Sequence, residues 1–377
     1  MKFQQFEKKK DQDWTPKGST DTSLKNPLVL VFGNRYALDN DTIYEEVRQL
    51  FPEGDIIFGS TAGEIIGDKV LEESITLTAI EFENSSYMIY RENSMDHEKD
   101  SLELGKRLIQ KVPKEGLKHI FVVSEGSFVN GSALIDGLET EIDGIAITGG
   151  LCGDDSRFEK TLASYNENPK EGEVILIAFY GETLEISFAQ YGGWTPFGPE
   201  RIITKSEKNV LFELDNQPAL DLYKKYLGDK VEELPQSALL YPLSVKSENK
   251  KEAIVRTILN IDEDQNTMTL AGDVPEGSKV QLMMANIDHI VDGALQAADI
   301  GMEARKHKPE LAILVSCIGR KLVMDQRVEE EIEEVMESIG NQATITGFYS
   351  YGELAPFTGY LACELHNQTM TLTLFSE

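Results

Sequence analysis

The chain has 377 residues, 41% hydrophobic and 27% charged, the balance of a globular protein long enough for two or three domains. Its 65 Asp and Glu outweigh 36 Lys and Arg, and a net charge of −29 excludes non-specific nucleic-acid binding and attraction to an anionic membrane surface. Cys152, Cys317 and Cys363 lie far apart with no C-x-x-C pair, so neither a disulfide framework nor a zinc ribbon is expected.

From Met1 to Lys10 charges occur with no apolar stretch behind them, unlike a signal peptide, and no run approaches the roughly 18 apolar residues of a membrane span. The chain therefore reads as cytoplasmic, without membrane insertion. Residues 1–24, rich in Lys, Gln, Asp, Ser and Thr, read as a loosely ordered leader from which Trp14 docks on the body.

An internal repeat follows. The first copy runs from Leu28–Phe32 through an amphipathic helix (Ile43, Val47, Leu50, Phe51) to Ile56-Ile-Phe-Gly-Ser-Thr-Ala-Gly-Glu64. The second runs from His119–Val123 through Leu134, Leu138 and Ile142 to Ile145-Ala-Ile-Thr-Gly-Gly-Leu-Cys-Gly-Asp154. The third runs from Leu311–Ser316 through a stripe of Met324, Val328, Ile332, Val335 and Ile339 to Thr344-Ile-Thr-Gly-Phe-Tyr-Ser-Tyr-Gly-Glu353. Apolar runs flanking a helix predict parallel strands joined by right-handed crossovers, with the acid-bearing glycine turns gathered on one sheet edge, where ligands of such sheets bind. After each turn come strand pairs. Ser74–Phe82 leads to Tyr87–Tyr90, Glu173–Tyr180 and Leu184–Tyr191 read as a hairpin, and Thr369–Phe375 closes the chain. Thr alternating with apolar residues in the first and last of these predicts sheets wet on one face.

Gly192–Pro199 reads as a rigid loop, Pro218–Leu227 as a short helix, and the acidic stretch to Leu234-Pro235 as a domain boundary near 226–236. Strands near Ala253–Ile261, Thr267–Ala271 and Lys279–Met284 precede a helix over 287–305. The fold class is α/β (mixed α+β), with two domains, 25–230 and 231–377, built from repeated strand–helix–strand units with mixed sheets and β-hairpins.

The candidate site follows from the turns. Backbone N–H groups at Gly59, Gly63, Gly149, Gly150 and Gly352, with the Ser60 and Thr61 hydroxyls, either hold a carboxylate or are only tight turns. Glu64, Asp154, Asp155 and Glu353 either take a ligand ammonium group or cap neighbouring backbone. Arg320 either pairs with a ligand carboxylate or with a nearby glutamate. Cys317 reads as a small buried residue beside it, and Tyr349 and Tyr351 alternate with core residues so that one face lines a pocket. No G-x-S-x-G elbow is present, Ser60 standing one place early, and no base sits near Ser60 or Thr61, so catalysis is not expected; a hydrolase using either hydroxyl is the alternative. Five histidines form no H-x-x-x-H pair and no C-x-x-C-H occurs, so no metal is expected; His289 and His366 are the candidates for a single axial ligand to haem.

Gly59-Ser-Thr-Ala-Gly-Glu64, Gly149-Gly-Leu-Cys-Gly-Asp-Asp155, Gly198-Pro199 and Asp215-Asn-Gln-Pro-Ala219 resemble the N-terminal domain of FIST proteins. Val315-Ser-Cys-Ile-Gly-Arg320, Gly347-Phe-Tyr-Ser-Tyr-Gly-Glu353 and Leu365-His-Asn-Gln-Thr369 resemble the FIST C-terminal domain. The resemblance implies an intracellular sensory module that binds a small ligand such as an amino acid, without a cofactor, and signals through a separate output protein such as a kinase or chemoreceptor. Some FIST proteins bind haem and report nitric oxide, the rival reading.

Overall fold

Leu28 to Phe32 is apolar at every position because both faces of this strand are covered: Leu28, Leu30 and Phe32 point to a central core, Val29 and Val31 to an outer helix layer. The same holds for each repeat in the computed structural model, which describes every residue except 19–22, 235, 249, 251 and 304. The end of the leader, the Pro235 end of the acidic stretch and position 304 of the helix expected over 287–305 thus lie outside the described residues.

Each repeat contributes a parallel pair as expected: Leu28–Asn34 with Asp55–Thr61, Leu117–Ser124 with Ala146–Leu151, and Leu311–Cys317 with Thr344–Ser350. An antiparallel strand lies beside each pair: Ser74–Glu81, Glu173–Tyr180 and Met370–Ser376. The next segments leave for a neighbouring sheet. Glu64–Ile66 pairs with the third repeat, Gly352–Pro356 with the second, and Ala163–Tyr165 with the first. At the opposite flank Ser86–Asn93 passes from the first sheet to the second and Glu185–Tyr191 from the second to the third. The third flank is filled by Lys2–Lys9, paired with Ser74–Glu81 over its full length. Three six-stranded sheets are thereby closed in a ring by strand exchange.

This ring corrects four expectations. Residues 2–9 are a strand, hidden from periodicity because Phe3 faces the central core and Phe6 the helix layer, three positions apart on opposite faces. Glu173–Tyr180 and Glu185–Tyr191 are not a hairpin, nor do Ser74–Glu81 and Ser86–Asn93 pair, because each strand is claimed by a different sheet. The Thr-bearing strands are not wet: Thr76, Thr78, Thr371 and Thr373 are buried, and Thr373 continues a polar chain through Thr148 to the buried imidazole of His119, each contact 2.7 Å. The 230/231 division does not separate two bodies, since strands from both sides share the second and third sheets.

Helices cover the outer faces: Ile43–Leu50 the first sheet, Ser101–Lys111 and Gly131–Leu138 the second, Ile287–Glu303 and Glu330–Ile339 the third. The stripe from Met324 to Ile339 is one helix in pattern but is broken at Asp325, whose φ is +48°. The central core draws Phe32, Phe121, Ile177, Leu311, Val315, Phe348 and Phe375 from all three repeats, and Phe32 and Phe348 lie 4.6 Å apart between centroids.

Residues 195–284 form a separate eight-stranded sheet with its own core, including the Ala219–Leu227 helix. The expected rigid loop ends at Trp194; Pro196 and Pro199 lie in the Thr195–Glu207 strand, whose register shifts between Phe197 and Arg201, where the missing N–H of proline is tolerated. Among the described residues no helix is long and apolar enough to cross a membrane.

Candidate functional site

The three glycine bends do meet, but they meet each other. Ala62 N–H donates to Tyr349 O (2.9 Å), Tyr349 N–H to Gly63 O (2.8 Å), Tyr351 N–H to Leu151 O (3.1 Å) and Gly153 N–H to Ser60 O (2.9 Å). The backbone of one bend thus bonds the next, and Gly63 N–H is turned onto Thr61 Oγ1 at 3.2 Å, so these bends serve each other and not an open anion cradle at Gly63. Gly149, with φ +138°, is required because a Cβ would stand 2.1 Å from Val122 O on the paired strand. Gly59, Gly150 and Gly352 face Cys152, Val315 and Leu365 so closely that glycine serves packing. Ser60 Oγ donates to Gly153 O and accepts from Leu162 N–H, both at 2.8 Å, and is buried with Thr61.

Two acids are built alike. The Thr61 and Ser74 hydroxyls donate to Glu64 at 2.6 Å each; Ser350 Oγ at 2.6 Å and the Thr369 hydroxyl at 2.9 Å donate to Glu353, which also accepts Thr369 N–H at 3.2 Å. Each pair joins a bend to the start of the strand beside its repeat. Burial in a site with no cation on the carboxylate pushes both carboxyl groups up to about 8. At neutral pH they are therefore mostly neutral acids within the scaffold, not counter-charges for an ammonium group.

The second repeat's bend takes the other solution. Asp154, fully buried, accepts from Arg35 Nε at 3.2 Å, Arg157 Nε at 3.0 Å and Lys160 N–H at 3.3 Å. Asp155 accepts from Asn34 Nδ2 at 2.9 Å and Arg157 Nη2 at 2.6 Å. Both aspartates are thus spent on the protein's own cations, of which Arg157 carried no sequence signal.

Arg320 is likewise closed. Its Nε and Nη2 donate to Glu331 at 2.9 and 2.7 Å, Nη1 to Gly192 O and Nη2 to Ile290 O. Glu331 also accepts from Ser316 Oγ (2.9 Å) and Tyr349 Oη (2.5 Å). Four of the five N–H donors of Arg320 are thus spent inside the protein, and both Arg320 and Tyr349 are fully buried, so neither side chain faces a ligand. Cys317 is buried as expected, and burial raises its thiol well above the usual range.

Open space lies beside these bends. A cleft of about 400 Å³ sits at the carboxyl end of the second repeat's parallel pair, under the smaller sheet. Its floor is the 126–131 loop and Leu151; its roof is Asn209, Leu259 and Leu270–Gly272. Buried Glu125 shapes the loop by accepting Ser127 N–H (2.6 Å), Phe128 N–H (2.8 Å) and the Thr161 hydroxyl. Asn130 caps the Gly131–Leu138 helix through Ala133 N–H (3.0 Å) and reaches Asp273 across the cleft at 3.3 Å. Phe158 stacks on Tyr351 at 4.4 Å, and Tyr351 Oη donates to Asp155 O and accepts Phe158 N–H, both at 3.0 Å. Among the residues expected to bind the ligand, Tyr351 lines this cleft; Glu159, with a side chain 67% exposed and Arg35 Nη2 at 3.5 Å, adds a carboxylate at the rim. Phe128, Phe158 and Asn209 were not singled out in the sequence. The signal that points to the loop is its place, Gly126-Ser-Phe-Val-Asn-Gly131 following the second repeat's first strand.

A haem needs an imidazole nitrogen aimed at a void. His289 is exposed on the surface, and His366, although its ring borders an opening of about 440 Å³, turns Nε2 onto Ala355 O at 2.9 Å and sets its ring edge-on to Phe357 at 4.8 Å. These residues do not fit a haem. Among the described residues no group of His, Cys, Asp and Glu is placed to hold a metal ion.

The FIST N domain model matches residues 27–217 and the FIST C domain model residues 219–356. An uncharacterised protein of Methanocaldococcus jannaschii is 24% identical over 82% of this chain, which spans 66% of that relative's length. Among solved structures, a chorismatase aligns over 100% of this chain and 98% of its own at 8% identity and TM-score 0.35. A cyanuric acid hydrolase from A. caulinodans aligns over 78% of this chain and 99% of its own at 9% identity and TM-score 0.19. At these scores neither likeness supports an argument about fold or activity.

Proposed function

Because the chain belongs to the FIST family, whose domains are sensory and signal-transducing, we propose that it binds a small molecule in the 400 Å³ cleft and relays that event to a separate output protein, a kinase or chemoreceptor, in the cytoplasm. One observation carries the reading: the cleft is walled from both family domains, by residues 126–159 and Asn209 of the first and by Leu259, Leu270–Gly272 and Tyr351 of the second. A ligand there touches both and so favours one arrangement of the smaller sheet over the ring, the differential contact that signalling requires. An amino acid suits the groups present, its side chain against Phe128, Phe158 and Leu270, its ammonium at the exposed Glu159, which it shares with Arg35 Nη2 at 3.5 Å, and its carboxylate at the second N–H of Asn209 Nδ2, whose first donates to Leu270 O at 2.8 Å.

The reading includes no catalytic step and no haem. In support, burial pushes the thiols of Cys152, Cys317 and Cys363 up, and the Ser60 hydroxyl is spent on backbone. Thermal-shift screening with amino acids tests binding, since a ligand at 100 times its Kd adds about 2.7 kcal/mol of stability. Leu259→Trp, at a half-exposed roof position, is expected to abolish the response by filling the cleft while leaving the unliganded melt in place. A flat response across the amino-acid panel, or a response untouched by Leu259→Trp, refutes the assignment, and a Soret band in the purified protein refutes the haem-free reading.

A further inference from the structure

A second opening, sharing no lining residue with the first, lies where the Glu185–Tyr191 strand ends. It holds about 440 Å³ under Val255 and Met283 of the smaller sheet. Four ring-bearing side chains stand in its wall: Tyr191, Trp194, Phe357 and His366. Trp194 is fixed by its indole N–H, which donates to Gln368 O at 2.9 Å, and Phe357 meets His366 edge to face. Burial lowers the His366 imidazole to about 4, so at neutral pH it is an uncharged ring. Glu252, exposed at the rim, is the one acidic or basic side chain among the wall residues apart from the neutral His366, and it makes no ion pair with any described residue.

Aromatic faces carry negative potential and attract cations, most strongly where water is excluded. Glu252, exposed and without an ion pair among the described residues, supplies the countercharge, and a chain of net charge −29 raises the local concentration of cations. We propose that this second cleft binds an organic ammonium ion of the alkyl- or trimethylammonium class, its nitrogen over the rings of Tyr191, Trp194 and Phe357 and balanced by Glu252.

Choline and its uncharged isostere 3,3-dimethylbutan-1-ol provide the test, because they differ in charge and hardly in shape. Trp14 and Trp194 are the only tryptophans, so Trp14→Phe leaves Trp194 emission as a local reporter, with calorimetry on the unaltered chain in parallel. Choline is expected to shift Trp194 emission saturably and to bind at least about tenfold more tightly than the alcohol at matched salt. Glu252→Gln and Tyr191→Ala, both at accessible positions, are each expected to weaken choline several-fold, while Phe158→Ala in the first cleft changes nothing. Equal affinity for the two probes, no saturable response to choline, or loss of binding in Phe158→Ala instead of the second-cleft variants overturns the proposal.

Discussion

Glu64 and Glu353 convert burial into pH dependence. An unfolded glutamate titrates near 4.5, whereas the folded groups titrate near 8. Between those values the native state holds protons that the unfolded state has released, so stability falls as pH rises. Their contribution is fully present below about pH 4.5 and lost as pH climbs through about 8, with a slope of about 1.4 kcal/mol per pH unit for each group. Urea titrations at several pH values across that window are expected to show Glu64→Gln and Glu353→Gln each removing about one proton's worth of slope. An unchanged slope would mean that these acids are ionised in the native state. Arg320 is a different case, a buried charge held by its ion pair with Glu331. Arg320→Met strands Glu331 beneath Ser316 and Tyr349 and is expected to cost about 3–5 kcal/mol, while Arg320→Met with Glu331→Met recovers much of it. A full-stability Arg320→Met protein would return the guanidinium to the list of ligand-facing groups. A carboxylate after a glycine bend looks the same in sequence whether it faces solvent, a ligand or two hydroxyls. The donors that decide the matter for Glu64 and Glu353 sit 10 and 16 residues downstream, at Ser74 and Thr369, and become neighbours only through the sheet.

Strands are local and pairings are not. The runs around 28–32, 119–123 and 311–316 were legible because burial on both faces makes them continuously apolar, and their parallel partners because an amphipathic helix must lie between. What no window of sequence contains is the exchange of flanking strands, since the decisive contacts are long-range. Lys2–Lys9 carries the exchange where the pattern is weakest. It closes the edge of Ser74–Glu81 with Phe6 set against Phe51 at 6.0 Å and Lys8 paired to Glu46. Phe6→Ala is expected to cost about 2–4 kcal/mol, less than a wholly enclosed phenylalanine, and to raise hydrogen exchange in Ser74–Glu81 before the other two sheets respond. Uniform loss of protection in all three sheets would show that this strand is not a separable element.

At the scale of the molecule, the family division near residue 218 and the physical one disagree, and folding experiments separate them. A fragment ending at residue 230 keeps both parallel pairs of the first two repeats but loses Leu311, Ile313, Val315, Phe348 and Phe375 from the central core. It also leaves Glu64–Ile66 without its Thr344–Ser350 partner and opens the second sheet where Gly352–Pro356 was bound. Unpaired edges beside exposed aromatic surface make such a fragment prone to aggregate. Fragments 1–230 and 231–377 are therefore each expected to lack dispersed amide spectra alone, and to regain them, with amino-acid binding, only when refolded together. The whole chain is expected to lose its three sheets in one transition by calorimetry, because each sheet holds a strand of its neighbour and none can leave without opening the other two. Two separated transitions, with the 1–230 fragment reproducing the first of them, would mean that the ring is held by the halves and not the halves by the ring. The cleft would then report a hinge between two independently stable bodies.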